Sequence, residues 1–332
     1  MCNGTIMDKL ISFSLPLMLS GILQLMFNAV DIVVVGRFSG SEALAAVGST
    51  TALINVFTNL FIGISLGANV LAARFYASGK DEEMSETVHT SILLALISGI
   101  IMAFLGVIFA RICLELMDTP EDVIDLSALY MRIYFLGMPF FMLYNYGAAI
   151  LRAVGDTKRP LVFLIISGCA NALLNLFFVI VCHMDVAGVA LASIISQYVS
   201  AALILQALLR CKDIYALHPG KLRLDPELTK DILKLGMPSG LQNVIFQFAN
   251  SFVQMGVNSF DATMVAGNSA ATNADAMVYD VMAAFYTACG SFMGQNYGAG
   301  KKKRVRNSYL ISLAYSFGIG MIMGLGLVLF GH

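Results

Sequence analysis

The sequence contains few charged residues and no tryptophan. Only 12% of its 332 residues are Asp, Glu, Lys or Arg, and 58% are hydrophobic, whereas a soluble domain carries about 25% charged residues. The mean hydropathy is +0.80. This composition predicts that most of the chain lies in lipid, with tyrosine and phenylalanine taking the place of tryptophan at the membrane interfaces.

Motifs of the common catalytic sites are also missing. The sequence has no Walker loop, no nucleophile elbow and no HExxH, which argues against an ATP-driven pump or an enzyme. Its six cysteines are scattered, without CxxC or histidine-rich spacing, so they predict neither a disulfide framework nor a zinc site. We therefore expect a protein that is not an enzyme and has no cofactor.

Long apolar stretches are what the sequence has in abundance. A helix needs about 20 residues to cross the hydrocarbon core, and nine stretches reach that length. The predicted fold is therefore an all-α polytopic membrane protein with nine transmembrane helices. The nine stretches are 10–35, 43–73, 88–110, 126–151, 161–182, 187–209, 232–260, 264–294 and 307–330.

The basic residues predict the orientation. With a cytoplasmic N-terminus, sixteen Lys and Arg fall on the cytoplasmic side, whereas only Arg37 and Arg111 fall outside. The positive-inside rule then predicts a multi-pass protein of the cytoplasmic (inner) membrane with its N-terminus in the cytoplasm. The basic run 301–306 is interpreted as a topology anchor, so nucleic acid is not an expected partner.

Part of the chain is repeated. Three residues recur later in the same order: Pro16, Asn28 and Phe38 correspond to Pro238, Asn250 and Phe260. Internal repeats in membrane chains are typical of transporters. A charged linker at 210–231 predicts a six-helix first lobe, 1–209, and a three-helix partial second lobe, 232–332.

Two pairs of glycines have the spacing that lets membrane helices approach closely. These pairs are Gly63 with Gly67, and Gly320 with Gly324. Small residues four positions apart lie on one helix face and allow backbones to meet. We interpret both pairs as packing sites.

Asp31 is the main candidate for chemistry. An ionised carboxylate costs about 2.5–3.5 kcal/mol at the bilayer centre, so it must be paired, protonated or near water. It could alternatively sit near the outer interface and merely accept hydrogen bonds. Pro16, on the same helix, could permit a bend, or it could be a first-turn proline.

Asn171 and Asn175 are four residues apart, so their amides project from one helix face. They could bond to Asp31, coordinate a cation through their carbonyl oxygens, or simply join helices. Other polar residues could line a wet cavity. In the first half these are Asn55, Asn59, Tyr144, Asn145, Ser193 and Gln197. In the second half, the seventh predicted helix carries Gln242, Gln247, Asn250 and Gln254, and the eighth carries Asp275 and Asp280.

Five segments together resemble one family. They are QLMFNAVDIVVVGRFSGSEALAAVG at 24–48, LRAVGDTKRP at 151–160, NALLNLFFVI at 171–180, GVALASIISQ at 188–197 and MGQNYGAGKKK at 293–303. They closely resemble multidrug and toxic compound extrusion (MATE) transporters. The resemblance implies an inner-membrane antiporter of two six-helix lobes that are related by a pseudo-twofold axis, and a monomer when the protein is full length. Such a protein exports organic cations, drugs or other amphipathic compounds by alternating access, against a flow of protons or sodium.

The resemblance also implies residue roles. Asp31 falls at the family's cation-binding aspartate and would be the metal ligand if the protein is sodium-coupled. Pro16 falls where the first helix of the family bends. Asn171 matches an asparagine on the fifth helix, and Ser193 falls near a hydroxyl position on the sixth.

Two positions depart from the family pattern. Asn175 stands where many relatives have an aspartate, which leaves sodium coordination open beside a proton relay. Gln247 stands where some relatives have an ion-binding glutamate. We keep Gln247 only as a cavity candidate.

The number of helices is the larger departure. The family has twelve helices and this chain supplies nine, so we expect a C-terminally truncated product or fragment. Two alternatives remain open: a lipid-linked saccharide flippase of the same superfamily, which should have a strongly cationic cavity, and an inactive, non-transporting membrane fragment.

Overall fold

The computed structural model describes residues 1–117, 119–257 and 262–330. These residues contain ten α-helices and no β-strand. The helices are α1 (Ile6–Phe38), α2 (Gly40–Ser78), α3 (Asp81–Leu116), α4 (Glu121–Leu136), α5 (Met138–Ala153), α6 (Lys158–Leu176), α7 (Asp185–Leu209), α8 (Pro226–Val257), α9 (Ala262–Gly298) and α10 (Lys302–Phe330). The predicted all-α polytopic class is confirmed.

Part of this set of helices is long and apolar enough to cross a membrane. Six of the described helices qualify, or seven if the bent pair α4 and α5 forms one span. Helices α8 and α9 are not among the six, so the count of nine spans stays a prediction. The end of the predicted span 232–260, from residue 258, lies outside the described residues, as do 331 and 332 of the predicted second lobe.

The predicted span 126–151 is broken in the structure. It consists of α4 and α5, which meet at Gly137 at an angle of 46°. Pro139, in the first turn of α5, has no N–H to continue the hydrogen bonding of α4. Gly137 also lies directly beside the Oε1 atom of Gln197, where a larger side chain has no room. Pro139 therefore marks the break between α4 and α5.

A glycine seam between α2 and α8 brings the backbones of these two helices together. A Cβ atom on Gly63 would overlap the backbone of Gly240, and a Cβ on Gly67 would overlap the carbonyl oxygen of Ile232. From the other side, a Cβ on Gly236 would overlap the carbonyl oxygen of Ile64. Packing at Gly63 and Gly67 is as predicted.

The second glycine pair behaves only partly as predicted. A Cβ on Gly320 would lie 2.7 Å from Sδ of Met282, which shows that α10 packs against α9 at this point. In contrast, a Cβ on Gly324 would meet no described heavy atom within 4 Å. The expectation of close packing at Gly324 is therefore wrong within the described structure.

Helix α8 is buried along only half of its length. Its buried residues end at Gly240, whereas Ile245, Phe252 and Met255 are exposed. The first half packs into the bundle through the glycine seam. The second half presents large apolar side chains outward, which suits a helix surrounded by lipid.

The predicted linker 210–231 is shorter than expected, because α8 already begins at Pro226. The linker is also packed on the bundle. The His218 backbone N–H donates to Nε2 of His89 at 3.0 Å, and the Asp225 N–H donates to Oγ1 of Thr90 at 3.3 Å. Tyr215 is buried. The two-lobe division stays a prediction, with a linker fixed to α3.

Gly67→Ala should destabilise the protein by about 1–3 kcal/mol, because the added methyl group overpacks the α2–α8 seam. Gly48→Ala is the matched control, since Gly48 lies on the same helix and a Cβ there meets nothing described within 4 Å. The control should be neutral or stabilised by about 0.5–1 kcal/mol. Thermal unfolding midpoints in detergent measure both changes, and equal midpoints would contradict the seam.

Candidate functional site

A polar cavity of about 330 Å³ lies among α1, α2, α4, α5, α6 and α7. Its wall includes all six first-half residues that the sequence assigned to a cavity: Asn55, Asn59, Tyr144, Asn145, Ser193 and Gln197. Asp31 and Asn171 also line it. The polar residues that were predicted to line a cavity therefore lie around one cavity in the structure.

Asp31 meets the predicted asparagine pair at this cavity. The Asn175 side-chain amide donates a hydrogen bond to Oδ1 of Asp31. The same amide nitrogen lies 3.3 Å from Oδ1 of Asn171 and donates to it as well. Of the two asparagines, Asn175 bonds directly to Asp31, whereas Asn171 accepts a hydrogen bond from Asn175. The bond to Asp31 is a contact between α1 and α6.

The asparagine pair is more deeply buried than the aspartate. Asn175 is fully buried and Asn171 is 7% exposed, whereas Asp31 is partly exposed on the cavity wall. The Oδ1 atom of Asn175 is buried and has no hydrogen-bond partner within the described residues. A buried amide oxygen without a donor is costly, and here it lies on the side chain that bonds to a carboxylate.

Some cavity residues are already engaged with the backbone. The Tyr144 hydroxyl donates to the carbonyl oxygen of Pro160 at 3.0 Å, and the Asn145 amide donates to the Phe141 carbonyl in its own helix at 2.8 Å. These bonds hold the side chains in place. They leave the Asn145 oxygen available to the cavity.

Gln247 is not among the lining residues. It lies on α8 beyond Gly240, in the half of that helix that has no buried residue. Its polarity and the family resemblance had made it a cavity candidate. Its position on α8 separates it from Asp31 in the described structure.

Pro16 lies within α1 and is buried. It is the eleventh residue of a helix that starts at Ile6, which excludes the alternative of a first-turn proline. The helix is continuous across it, and the Ser20 hydroxyl donates to the Pro16 carbonyl at 2.8 Å. The bend expected at Pro16 stays a prediction.

Sequence reasoning missed several lining residues. Tyr130 and Tyr134 are one turn apart on α4, and Phe27 and Asn28 are on α1 close to Asp31. The spacing of the two tyrosines by four residues was the available signal. This spacing was overlooked because residues 126–151 were treated as one apolar span.

A second group of polar contacts joins α2, α5 and α9. The Asn69 amide donates to the Ala149 carbonyl at 2.8 Å, and its Oδ1 accepts from the Ser291 hydroxyl at 2.8 Å. The Gln295 amide donates to the Ala153 carbonyl at 2.7 Å. We call these three bonds the inter-helix clamp. The sequence offered Gln295 only as part of the QNYGAG segment.

Basic residues at the end of the segment 293–303 and just after it bind the first four residues of the chain. Arg304 donates to the carbonyl oxygens of Gly4 at 2.8 Å and Met1 at 3.0 Å. Lys301 donates to the Cys2 carbonyl at 2.9 Å and to Oδ1 of Asn3 at 2.8 Å. The basic run 301–306 thus contributes specific contacts as well as charge.

Comparison with known proteins identifies the family. The MatE family profile matches residues 16–181 and 238–332. The chain belongs to the MATE family of multidrug efflux transporters. Members of this family are transporters and not enzymes, as the sequence predicted. The protein is accordingly a multi-pass membrane protein.

Two relatives from Bacillus subtilis strain 168 illustrate the match. The probable multidrug resistance protein YpnP is 30% identical over 307 residues, which cover 91% of this chain and 68% of the relative. The probable multidrug resistance protein YoeA is 30% identical over 331 residues, which cover 96% and 71%.

Solved structures share the fold. A MATE family transporter of the MOP superfamily in an outward-facing conformation superimposes with a TM-score of 0.91 at 24% identity, covering 99% of this chain and 73% of that one. At this identity the likeness shows the fold alone. It supports the arrangement of the helices that surround Asp31.

Asn175→Ala should destabilise the protein by about 1–3 kcal/mol, because it leaves the Asp31 carboxylate without its amide donor. Asn59→Ala is the control: its amide donates within its own helix, to the Asn55 carbonyl at 2.8 Å. The control should cost less than the Asn175 change. Thermal unfolding in detergent compares the two, and a larger loss for Asn59→Ala would refute the bridging role.

Proposed function

We propose that this MATE transporter is a cation-coupled antiporter that exports organic cations or other amphipathic compounds. The observation that carries the proposal is Asp31, which lies on a polar cavity and bonds to Asn175. Among the described lining residues it is the one charged side chain. A charge kept at such a position at a cost of several kcal/mol points to a functional role.

The coupling ion would bind at Asp31 with the asparagines on α6. Hard cations prefer carboxylate and carbonyl oxygens, and Asp31, Asn171 and Asn175 supply both kinds. The unpartnered Oδ1 of Asn175 supports sodium, because rotation of this amide would turn that oxygen toward the carboxylate. A proton could instead bind Asp31 directly. Ser193 lines the same cavity and completes the proposed set.

The substrate would occupy the same cavity. Phe27, Tyr130, Tyr134 and Phe141 present aromatic rings beside the single carboxylate. Aromatic faces and a carboxylate both attract organic cations. A saccharide flippase would need cationic side chains for a pyrophosphate, and no Lys or Arg is among the described lining residues. The cavity therefore favours the drug antiporter over the flippase.

Alternating access requires one end of the bundle to open while the other closes. The inter-helix clamp and the N-terminal contacts of Arg304 and Lys301 lie at the end that holds the chain's N-terminus. We propose that this end faces the cytoplasm, since most Lys and Arg lie there, and that the clamp closes it. Neutral hydrogen bonds contribute about 1 kcal/mol each, so the clamp can be broken reversibly.

The ion gradient supplies enough energy for this cycle. One charge moved through 100 mV yields about 2.3 kcal/mol. Cation binding at Asp31 would favour bending of α1 near Pro16, which would lower the affinity for the drug and release it outward. We further propose an inner-membrane location and a monomeric full-length protein.

Asp31→Asn should abolish ion-coupled efflux, because the neutral amide removes the charge on which cation binding depends. Asp275→Asn is the matched control, since Asp275 is an exposed carboxylate on α9 outside the described cavity lining. Efflux of a fluorescent organic cation from vesicles is measured with sodium and proton gradients in turn. Normal efflux by the Asp31 variant would contradict the assignment of Asp31 as the cation-binding residue.

Arg304→Gln should free the N-terminal residues and raise the rate of Cys2 modification by a maleimide about tenfold. The change removes charge-assisted bonds to the Met1 and Gly4 carbonyls, each worth about 1.5–3 kcal/mol. Lys303→Gln is the control, because Lys303 is exposed in the same turn of α10. Peptide mapping follows Cys2, and unchanged labelling would contradict the proposal that Arg304 holds the N-terminal residues in place.

A further inference from the structure

A second cavity lies apart from the transport site, between the start of α6 and the end of α7. It measures about 260 Å³ and is open to the surroundings. Its lining includes Arg159, Phe163, Leu203, Gln206, Arg210 and Cys211. None of these residues lines the cavity that holds Asp31. The proposed transport function leaves this groove without a role.

The mouth of the groove carries positive charge. Arg210 is the C-terminal cap residue of α7 and is exposed. It forms no ion pair or side-chain hydrogen bond with the described residues. Arg159 pairs with Asp156 and donates to the Tyr215 hydroxyl at 3.2 Å, while its side chain stays 43% exposed. Asp156 offsets the charge of Arg159, so Arg210 is the unbalanced cation.

The groove becomes apolar as it runs into the membrane. Phe163 lies one helical turn beyond Arg159 on α6, about 6 Å along the axis. Leu203 lies two turns before Arg210 on α7, about 10 Å along the axis. Both side chains are half-buried and line the groove. A cationic mouth over an apolar interior matches an amphiphile with an anionic head.

We propose that this groove binds an anionic glycerophospholipid. Its phosphate would lie between Arg210 and Arg159, because a guanidinium group can donate two parallel hydrogen bonds to two oxygens of one phosphate. One acyl chain would lie along Phe163 and Leu203. Basic pockets between transmembrane helices on the cytoplasmic side are suited to such head groups, and the groove faces that side in the proposed topology.

The lipid would hold the α6–α7 pair at the point where the linker begins. Arg159 already contacts Tyr215 in the linker, and Cys211 follows the end of α7. The far part of α6 carries Asn171 and Asn175. A bound lipid would therefore fix the membrane position of the helix that supports Asp31, without contacting the cavity itself.

Native mass spectrometry of the purified chain in detergent tests the site. Phosphatidylglycerol should form a one-lipid complex more readily than phosphatidylcholine. Arg210→Gln should weaken it about fivefold, the effect of about 1 kcal/mol for one basic residue near a membrane surface. Arg210→Lys should retain most of the binding. Lys230→Gln, an exposed cation on α8 outside the groove, should leave it unchanged.

Cys211 provides a readout that does not depend on the variants. Phosphatidylglycerol bound in the groove should slow its alkylation, whereas Cys2, outside the groove, should react at an unchanged rate. Glycerol phosphate, the head group without acyl chains, should not protect Cys211 at the same concentration. Equal binding of both lipids, an unaffected Arg210→Gln variant, or full protection by glycerol phosphate would overturn the lipid site.

Discussion

A polar group in a lipid-embedded helix must find its partner within the protein, and the arrangement of this structure depends on that constraint. Asp31 cannot face hydrocarbon at low cost, so α1 turns it toward the amide of Asn175 on α6. Asn69, fully buried on α2, likewise uses both ends of its amide to join α5 and α9. Each of these polar side chains thereby specifies which helices must be neighbours.

Helix α2 shows how the same constraint separates packing from function. Gly63 and Gly67 face α8, where backbone meets backbone without any side chain. Asn55, Thr58 and Asn59 face the cavity. The glycine face fixes the position of α2 against its neighbour, so the polar face can border water without loosening the bundle. One helix thus serves as a rigid wall and as a polar surface.

The helices and the central charged residue were predictable because each depends on local sequence. Apolar runs determine where the helices lie. A lone aspartate within such a run is a candidate functional residue, because burying its charge in the membrane is costly. The spacing of Asn171 and Asn175 predicted a shared face, and the structure brings that face to Asp31. Gln247 could not be placed in this way, since its polarity says nothing about which neighbour α8 meets.

The features that sequence reasoning missed depend on contacts between distant segments. The break at Gly137 follows from Pro139 and from the Gln197 side chain on another helix. The inter-helix clamp joins residues from 80 to 222 positions apart, as in the bond from Gln295 to Ala153. Arg304 contacts carbonyl oxygens of Met1 and Gly4, and Lys9 contacts that of Asn3 at 2.7 Å. Because these acceptors belong to the main chain, an insertion before Ile6 shifts every one of them. Substitutions preserve them except at Gly4, whose φ of +74° disfavours a larger residue, and Asn3 also presents its side-chain oxygen to Lys301. Variation at this terminus should therefore change its length more rarely than the identity of Met1 or Cys2.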